Sequence, residues 1–494
     1  MTVVMEALYL GGVSTLGLLA ITVCTRQPAR AFSLAMAFPV GFVLTAILVA
    51  VSLVVFGGLG IWSLGFLAAF VLISLFVAIG KLADVRFTNL IWPVTGIWLI
   101  AVTLATLQSQ ASLLVMTFDS FNYAGLSGNI TNISDGFSNS YLASMLLSYP
   151  ALMPFGYAPV GLWGRDVLMA GAPAFALSAS SVVAVAVFEA FRDRDILWAR
   201  AGALIAFAFV LSTPQVRFHA FYIMPNLAMA ALVACSGYAI WRLSKNECED
   251  MRGGWVLLLA ILLVGVGLAR LEGVLFVAVL GLSAFLTQLD RPLRLTIAFA
   301  AVTALLLGWL VFLGLNAGDS ESILGAGTAL AQSLLLLVVL AGMAMATVPA
   351  FRKFLSWGIL AMPIAMIMAL MGLWISSPSK GRATLDNWFQ NLTLPLGLWG
   401  ASYLALGAAA GILVALQTPL RAARPLLLSV VTLTLMTIAL GIFREMPYRL
   451  GAQDSGNRIM LQIFPLAVMF VGIWASNALM ARTGEPAVRV GNVA

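Results

Sequence analysis

GWVLLLAILLVGVGLARLEGVLFVAVLGLSAFLTQL, residues 254–289, carries two charges, Arg270 and Glu272, in an otherwise apolar run. At 1.5 Å per residue, about 20 apolar residues cross the roughly 30 Å of bilayer hydrocarbon. The stretch therefore reads as two membrane-crossing helices, 254–270 and 273–289, joined at a short charged break. Ionisable groups are costly at membrane depth and tend to mark a substrate or ion path. The break is thus both a fold signal and a site signal.

The rest of the chain has the same character. Of its 494 residues, 62% are hydrophobic and 9% charged, too few charges to cover a water-soluble surface. Further apolar runs lie at 7–24, 32–56, 61–80, 90–116, 167–189, 197–212, 221–242, 295–315, 324–349, 354–375, 395–417, 424–443 and 459–480. The expected fold is all-α: one polytopic integral membrane domain, 1–494, of about 15 transmembrane helices (about 13 to 15, since some breaks are short). The N-terminus lacks a basic leader and a small-residue cleavage site and reads as the first span. Cys24, Cys235 and Cys248 have no metal-binding spacing and are odd in number, so neither a zinc site nor a disulfide framework is expected.

Basic residues supply the orientation. With the N-terminus extracytoplasmic, every connection expected on the cytoplasmic side holds Lys or Arg, from Arg26 and Arg30 through Arg192, Arg194 and Arg200 to Arg482 and Arg489 in a cytoplasmic tail, 482–494. Eighteen of the 26 basic residues fall there, as the positive-inside rule requires. The formal charge of +7 therefore reflects topology, and scattered short basic loops argue against a nucleic-acid partner.

This topology makes 117–166, between the N-terminal helices 1–116 and the remaining spans 167–481, a long extracytoplasmic loop with short interfacial helices. It includes TFDSFNYAGLSGNITNISDGFSNSYLASMLLSYP (117–150), and the chain has no basic residue between Arg86 and Arg165. Long loops of this kind are functional or folded onto a neighbour. Within it, 138–150 fits an amphipathic helix with Tyr141, Met145 and Tyr149 on one side, ended by Tyr149-Pro150. Asp135-Gly136 fits a turn, and Asp119 fits either a helix cap or a catalytic acid.

The other polar residues expected on that side are Arg217 and His219, Arg270 and Glu272, Lys380, Arg382 and Asp386 in a loop, and the group FREMPYRLGAQDSGNRIMLQIFP (443–465). His219 is the one histidine of the chain. Together they predict a polar chamber opening outward. A carboxylate with no basic neighbour keeps a pKa high enough to take a proton from a hydroxyl, while arginines hold a phosphate bidentately. That combination suits group transfer from a lipid-linked phosphate to an acceptor hydroxyl.

TFDSFNY, the Tyr-Pro of SYPALMPFGYAP, the Arg-x-Glu-Gly of ARLEGVLF and the late GNRIMLQIFPL together resemble, in order, the GT-C superfamily of membrane glycosyltransferases, whose donors are polyprenyl-phosphate-linked sugars. The resemblance implies Asp119 as catalytic base or metal ligand and Arg458 at the donor phosphate. It further implies Arg270 and Glu272 at pyrophosphate or sugar, with Arg217, His219, Tyr149 and Asp135 as further substrate-binding candidates. In that family the acid follows the first span, whereas here about four spans precede it, and no Asp-x-Asp pair stands at 119. A divalent metal is left open.

The implied partners are the lipid-linked sugar, a lipid, glycan or protein acceptor, and the bilayer of a bacterial inner membrane, with the active site facing the periplasm. The competing classes are an O-antigen-type polymerase or ligase acting on lipid pyrophosphates and a transporter of a lipid-linked or anionic substrate, which would place charges in discontinuous helices. Asn129, Asn132 and Asn391 fit the N-glycosylation acceptor pattern, and GGVSTLG (11–17) fits close helix packing.

Overall fold

A computed structural model describes residues 2–25, 27, 30–60, 88–110, 118–161, 171–193, 195–220, 224–245, 249–289, 291–316, 326–420, 423–444 and 446–483. All regular structure among them is helical. Nine of the described helices are long and apolar enough to cross a membrane, or ten if one bent pair counts as a span. They are α1 (Thr2–Thr25), α2 (Ala31–Phe56), α7 (Gly171–Phe191), α10 (Pro225–Ser244), α11 (Glu249–Ala269), α13 (Pro292–Asn316), α14 (Ala326–Met345), α19 (Arg424–Phe443) and α20 (Ser455–Thr483). The bent pair is α15 (Pro349–Leu360) and α16 (Met362–Ser376), which meet at 51°.

The expected count of about 15 differs for identifiable reasons. The run 61–80 lies outside the described residues. Four others form shorter apolar helices: α3 (Thr88–Gln110), whose apolar part is Ile91–Leu107, α8 (Ile196–Ser212), α12 (Gly273–Phe285) and α18 (Ser402–Ala415). A helix of 13 residues such as α12 covers only about 20 Å, two-thirds of the hydrocarbon.

Helix α10 is the axis of the bundle. Every residue from Pro225 to Leu243 is buried, because apart from the paired Asn226 and Arg242 its sequence is mostly apolar or small and α2, α7, α11, α12, α19 and α20 pack against it. Small residues do the same work elsewhere, since in a bilayer close van der Waals contact has to replace the hydrophobic drive between helices. A Cβ on Gly17 would stand 1.8 Å from the Ala37 carbonyl oxygen, and one on Gly41 equally close to that of Val13, so α1 and α2 interlock at reciprocal glycines. Gly17→Val should therefore destabilise the protein by about 1–3 kcal/mol or more through overpacking. Gly12→Ala, with no described atom within 4 Å of the added carbon, should leave the protein as stable or slightly more so; thermal unfolding in detergent separates the two.

The segment expected as a loop is folded into the bundle. It forms α4 (Phe118–Asn129), α5 (Ser140–Leu146) and α6 (Leu152–Gly161), the last buried against α2. The Tyr9 hydroxyl donates to the Gly156 carbonyl, and the Phe42 ring lies where a Gly156 side chain would be. Asn139 caps α5 by accepting from the Leu142 amide at 3.0 Å. Asp135-Gly136 is a turn with Gly136 at φ +59°, its amide donating to the Gly57 carbonyl at 2.6 Å. Residues 378–393, expected as a loop, are helical as α17 (Pro378–Thr393).

The two ends of the bundle differ. At one, Gly254 lies under the Cys24 carbonyl, and Arg242, 6% exposed, meets Glu189 at 3.2 Å and the Tyr238 hydroxyl at 3.1 Å. Its guanidinium also sits 5.1 Å from the Trp255 ring and 5.7 Å from Phe32. Counted in the sequence as a basic residue of a connection, Arg242 is instead a buried, paired residue of α10. The opposite end gathers the turn at 136, the C-terminal part of α13 through the Phe137–Phe312 ring contact, and the break at 270–272.

Candidate functional site

The break between α11 and α12 is real. Gly273 returns its amide to the Arg270 carbonyl at 3.0 Å, and a Cβ there would stand 2.1 Å from the Val266 carbonyl oxygen, so only glycine turns the chain this tightly. On one continuous helix, residues two apart point to different faces. The break removes that restriction, and Arg270 Nε donates to Glu272 Oε1 at 2.5 Å. Both side chains are largely buried, at 16% and 12% exposure.

Neighbouring helices complete the pair. Asn226, in the first turn of α10, accepts from Arg270 Nη1 through Oδ1 at 2.7 Å, and Gln462 of α20 donates to Glu272 Oε1 at 3.4 Å. Gln332 of α14 donates to the Leu271 carbonyl at 2.8 Å. Gln462 stands seven residues into α20 and Gln332 six into α14, so the break is recessed about 10 Å below both helix starts. A recessed charged pair needs this completeness, because a buried charge without partners costs several kcal/mol.

His219 ends α9 (Pro214–His219) and is 2% exposed. Its Nδ1 lies 3.0 Å from the Gln215 carbonyl oxygen. A carbonyl only accepts, so Nδ1 carries the proton and Nε2 the lone pair. Burial first, with Arg458 and Arg270 adding to it, pushes the imidazole pKa down to about 4, although the bond to the Gln215 carbonyl pulls the other way. His219 is thus neutral at neutral pH. Its folded pKa lies below the ordinary 6.5, so its contribution is fully present above pH 6.5 and is lost as pH falls toward 4. Wild-type stability should drop by up to about 3 kcal/mol over that window, and His219→Gln should remove that part of the slope; unfolding titrations at stepped pH read it.

Arg458 belongs to the same assembly. It lies one turn before Gln462, on the same face of α20, half-buried and near enough to His219 to act on its charge. Four side-chain amides hold the loop that leads into α20. Asn387 donates to the Tyr448 carbonyl at 2.6 Å, Asn391 to that of Arg449 at 2.7 Å, Asn457 to that of Gly451 at 2.6 Å and Gln215 to that of Ala452 at 2.8 Å. Asp454 caps the helix, accepting from the Arg449 and Gly456 amides. Asn391, 1% exposed and bonded on both sides of its amide, is no free glycosylation acceptor in this fold.

The structure thus brings together Arg270, Glu272, His219 and Arg458. Arg217 lies on the same short helix as His219 but is exposed, as are Arg444 and Arg449. Arg382 pairs with Asp386 at 3.8 Å in solvent, an arrangement of little energetic weight. Three candidates sit in the early segment. Asp135 is exposed and accepts from the Asn139 amide at 2.9 Å. Tyr149 accepts from Asn122 at 2.5 Å and packs edge-on against Tyr123. Asp119 is the second residue of α4, which packs on α6; its side chain lies outside the described residues.

Sequence reasoning missed Asn226, Gln215 and Gln462. The one signal for Gln462 was its four-residue spacing from Arg458. Among the described residues, no three His, Cys, Asp or Glu side chains gather where they could hold one metal ion. The recessed pole combines two guanidiniums, one carboxylate and a neutral imidazole, an excess of positive charge suited to an anion. Comparison with protein-family models, with functionally characterised proteins and with solved structures yields no match to this chain.

Proposed function

We propose that this membrane protein is a glycosyltransferase of GT-C type, moving a sugar from a polyprenyl-phosphate-linked donor to an acceptor hydroxyl of a lipid, glycan or protein. The observation that carries the reading is the recessed, net-positive pole of Arg270, Glu272, Arg458 and His219 among the ends of apolar helices. Such a pole suits the phosphate of a lipid-anchored donor whose hydrocarbon stays in the bilayer. The basic residues of the sequence favour an orientation with the N-terminus extracytoplasmic, the C-terminus cytoplasmic and the pole facing the periplasm of a bacterial inner membrane.

In the proposed single displacement, the acceptor oxygen attacks the anomeric carbon as the bond from that carbon to the phosphate oxygen breaks. The electron pair of the broken bond stays on the phosphate, where Arg458 and Arg270 meet the charge, and the acceptor proton passes to the Asp119 carboxylate. Glu272 and Asn226 fix the Arg270 plane, so the guanidinium is positioned before the donor arrives. Arg217, Tyr149 and Asp135 are retained as substrate contacts on the outer side of the site.

A transporter is the second reading, favoured by the same break, since a charged interruption recessed between two apolar helices resembles the discontinuous helices of transporters. One experiment separates the two. Purified protein in nanodiscs is given a polyprenyl-phosphate hexose radiolabelled in the sugar, with total membranes as acceptor source. The enzyme reading requires label on an acceptor and release of free polyprenyl phosphate. Donor flipping in sealed vesicles with no transfer would instead establish the transporter.

A further inference from the structure

Two buried amide oxygens that border the pole have no hydrogen-bond partner among the described residues: Gln215 Oε1 and Gln462 Oε1. Both residues are fully buried, at 0% exposure. Their orientations are fixed by the other half of each amide. Gln215 uses its NH2 to hold the Ala452 carbonyl, and Gln462 uses its NH2 toward the Glu272 carboxylate. Flipping either amide would set an oxygen against an oxygen, so the atoms without partners are acceptors. Leaving a buried acceptor without a donor costs about 1–3 kcal/mol, and native proteins seldom accept that cost without a reason.

Both residues are tied to the cationic groups of the pole. Gln462 stands one turn from Arg458 on one face of α20 and touches Glu272, the partner of Arg270. Gln215 presents its main-chain carbonyl to His219, which feels Arg458 and Arg270, and its side chain grips the loop that leads to Arg458. The pole therefore pairs strong donors, which ask for anionic oxygen, with acceptors, which ask for O–H or N–H groups. An inorganic phosphate or a bare lipid phosphate brings few of the latter. A phosphate esterified to a polyol brings both.

We propose that Gln215 and Gln462 form a hydroxyl-binding subsite, which selects lipid phosphates bearing a sugar over the same lipid phosphate without one. The proposal rests on the glycosyltransferase reading of the pole and adds to it the residues that recognise the sugar. The two ligand classes differ only in the sugar, so their affinity ratio isolates the subsite.

The experiment measures binding of a short-chain polyprenyl phosphate, and of the same lipid carrying glucose, mannose, galactose or arabinose, to full-length protein in nanodiscs. Wild type and Gln462→Met, which keeps the length and removes the acceptor together with the N–H that donates to Glu272, are compared. Gln215→Met serves as the second variant. The expected result is that wild type prefers at least one glycosylated lipid, and that either variant loses about 5- to 30-fold more on that lipid than on the bare phosphate. Equal losses on both lipids would make the glutamines structural and overturn the proposal, as would no loss on either. Wild type binding both classes equally overturns the subsite while leaving the phosphate pole standing. Wild type binding neither overturns the glycosyltransferase reading and the subsite with it.

Discussion

Arg270→Met will lower the stability of the protein by about 3–5 kcal/mol and abolish transfer, because it leaves Glu272 charged, recessed and without its guanidinium. The loss of stability comes from the stranded carboxylate and not from a missing attraction, and a second substitution separates the two. In the double variant Arg270→Met, Glu272→Leu the buried charge is gone, and apolar replacement of a buried ion pair is often neutral or stabilising. The double variant should therefore regain most of the stability but none of the transfer. Thermal unfolding in detergent beside the nanodisc transfer assay reads both. If the double variant regains activity with its stability, the pair is a packing device and the phosphate lies elsewhere.

Asp119→Asn will reduce transfer by about 10²- to 10⁴-fold, the range for loss of a general base, with binding of the donor lipid retained. An amide of the same shape keeps the position and removes the ability to take the acceptor proton. Helix α4 packs on α6, and α6 in turn touches α2 and α11, so the acid-bearing helix belongs to the same folded body as the arginine pole. Unchanged transfer would make Asp119 a residue of the α4 N-terminus and remove the base from the mechanism. Loss of donor binding together with transfer would place the acid on the donor side instead.

What was legible in the sequence depended on interactions that are local or collective. The break at Arg270–Glu272 is local: two charges beside a glycine in an apolar run leave few conformations, and the ion pair follows from the turn. The α1 half of the interlock, Gly17, was visible in GGVSTLG for the same reason, whereas its α2 partner Gly41 was not. Membrane character is collective, and no single substitution would hide it.

Partners distant in sequence were not legible. Gln462 meets Glu272 across 190 positions and Gln215 meets Ala452 across 237, and neither glutamine differs in sequence from one facing water. Arg242 counted as a basic residue of a connection, yet Glu189, Tyr238 and Trp255 draw it into the bundle. The early polar segment read as an outer loop because α4 and the turns between it and α5 are Ser- and Asn-rich. What folds it inward is α6, whose prolines and glycines obscure the helical pattern in the sequence.

The measurement that bears most directly on the account is binding of a polyprenyl phosphate to wild type and to Arg458→Gln, in nanodiscs at low salt. Arg458 is half-buried and donates through Nη2 to the Ser455 hydroxyl at 3.3 Å, and glutamine keeps a hydrogen-bonding group there while removing one of the two cations assigned to the phosphate. The account predicts binding by wild type that weakens at least 10-fold in the variant, about 1.4 kcal/mol or more for a charge-assisted contact. Equal binding by the two proteins, with unfolding temperatures unchanged, would contradict it.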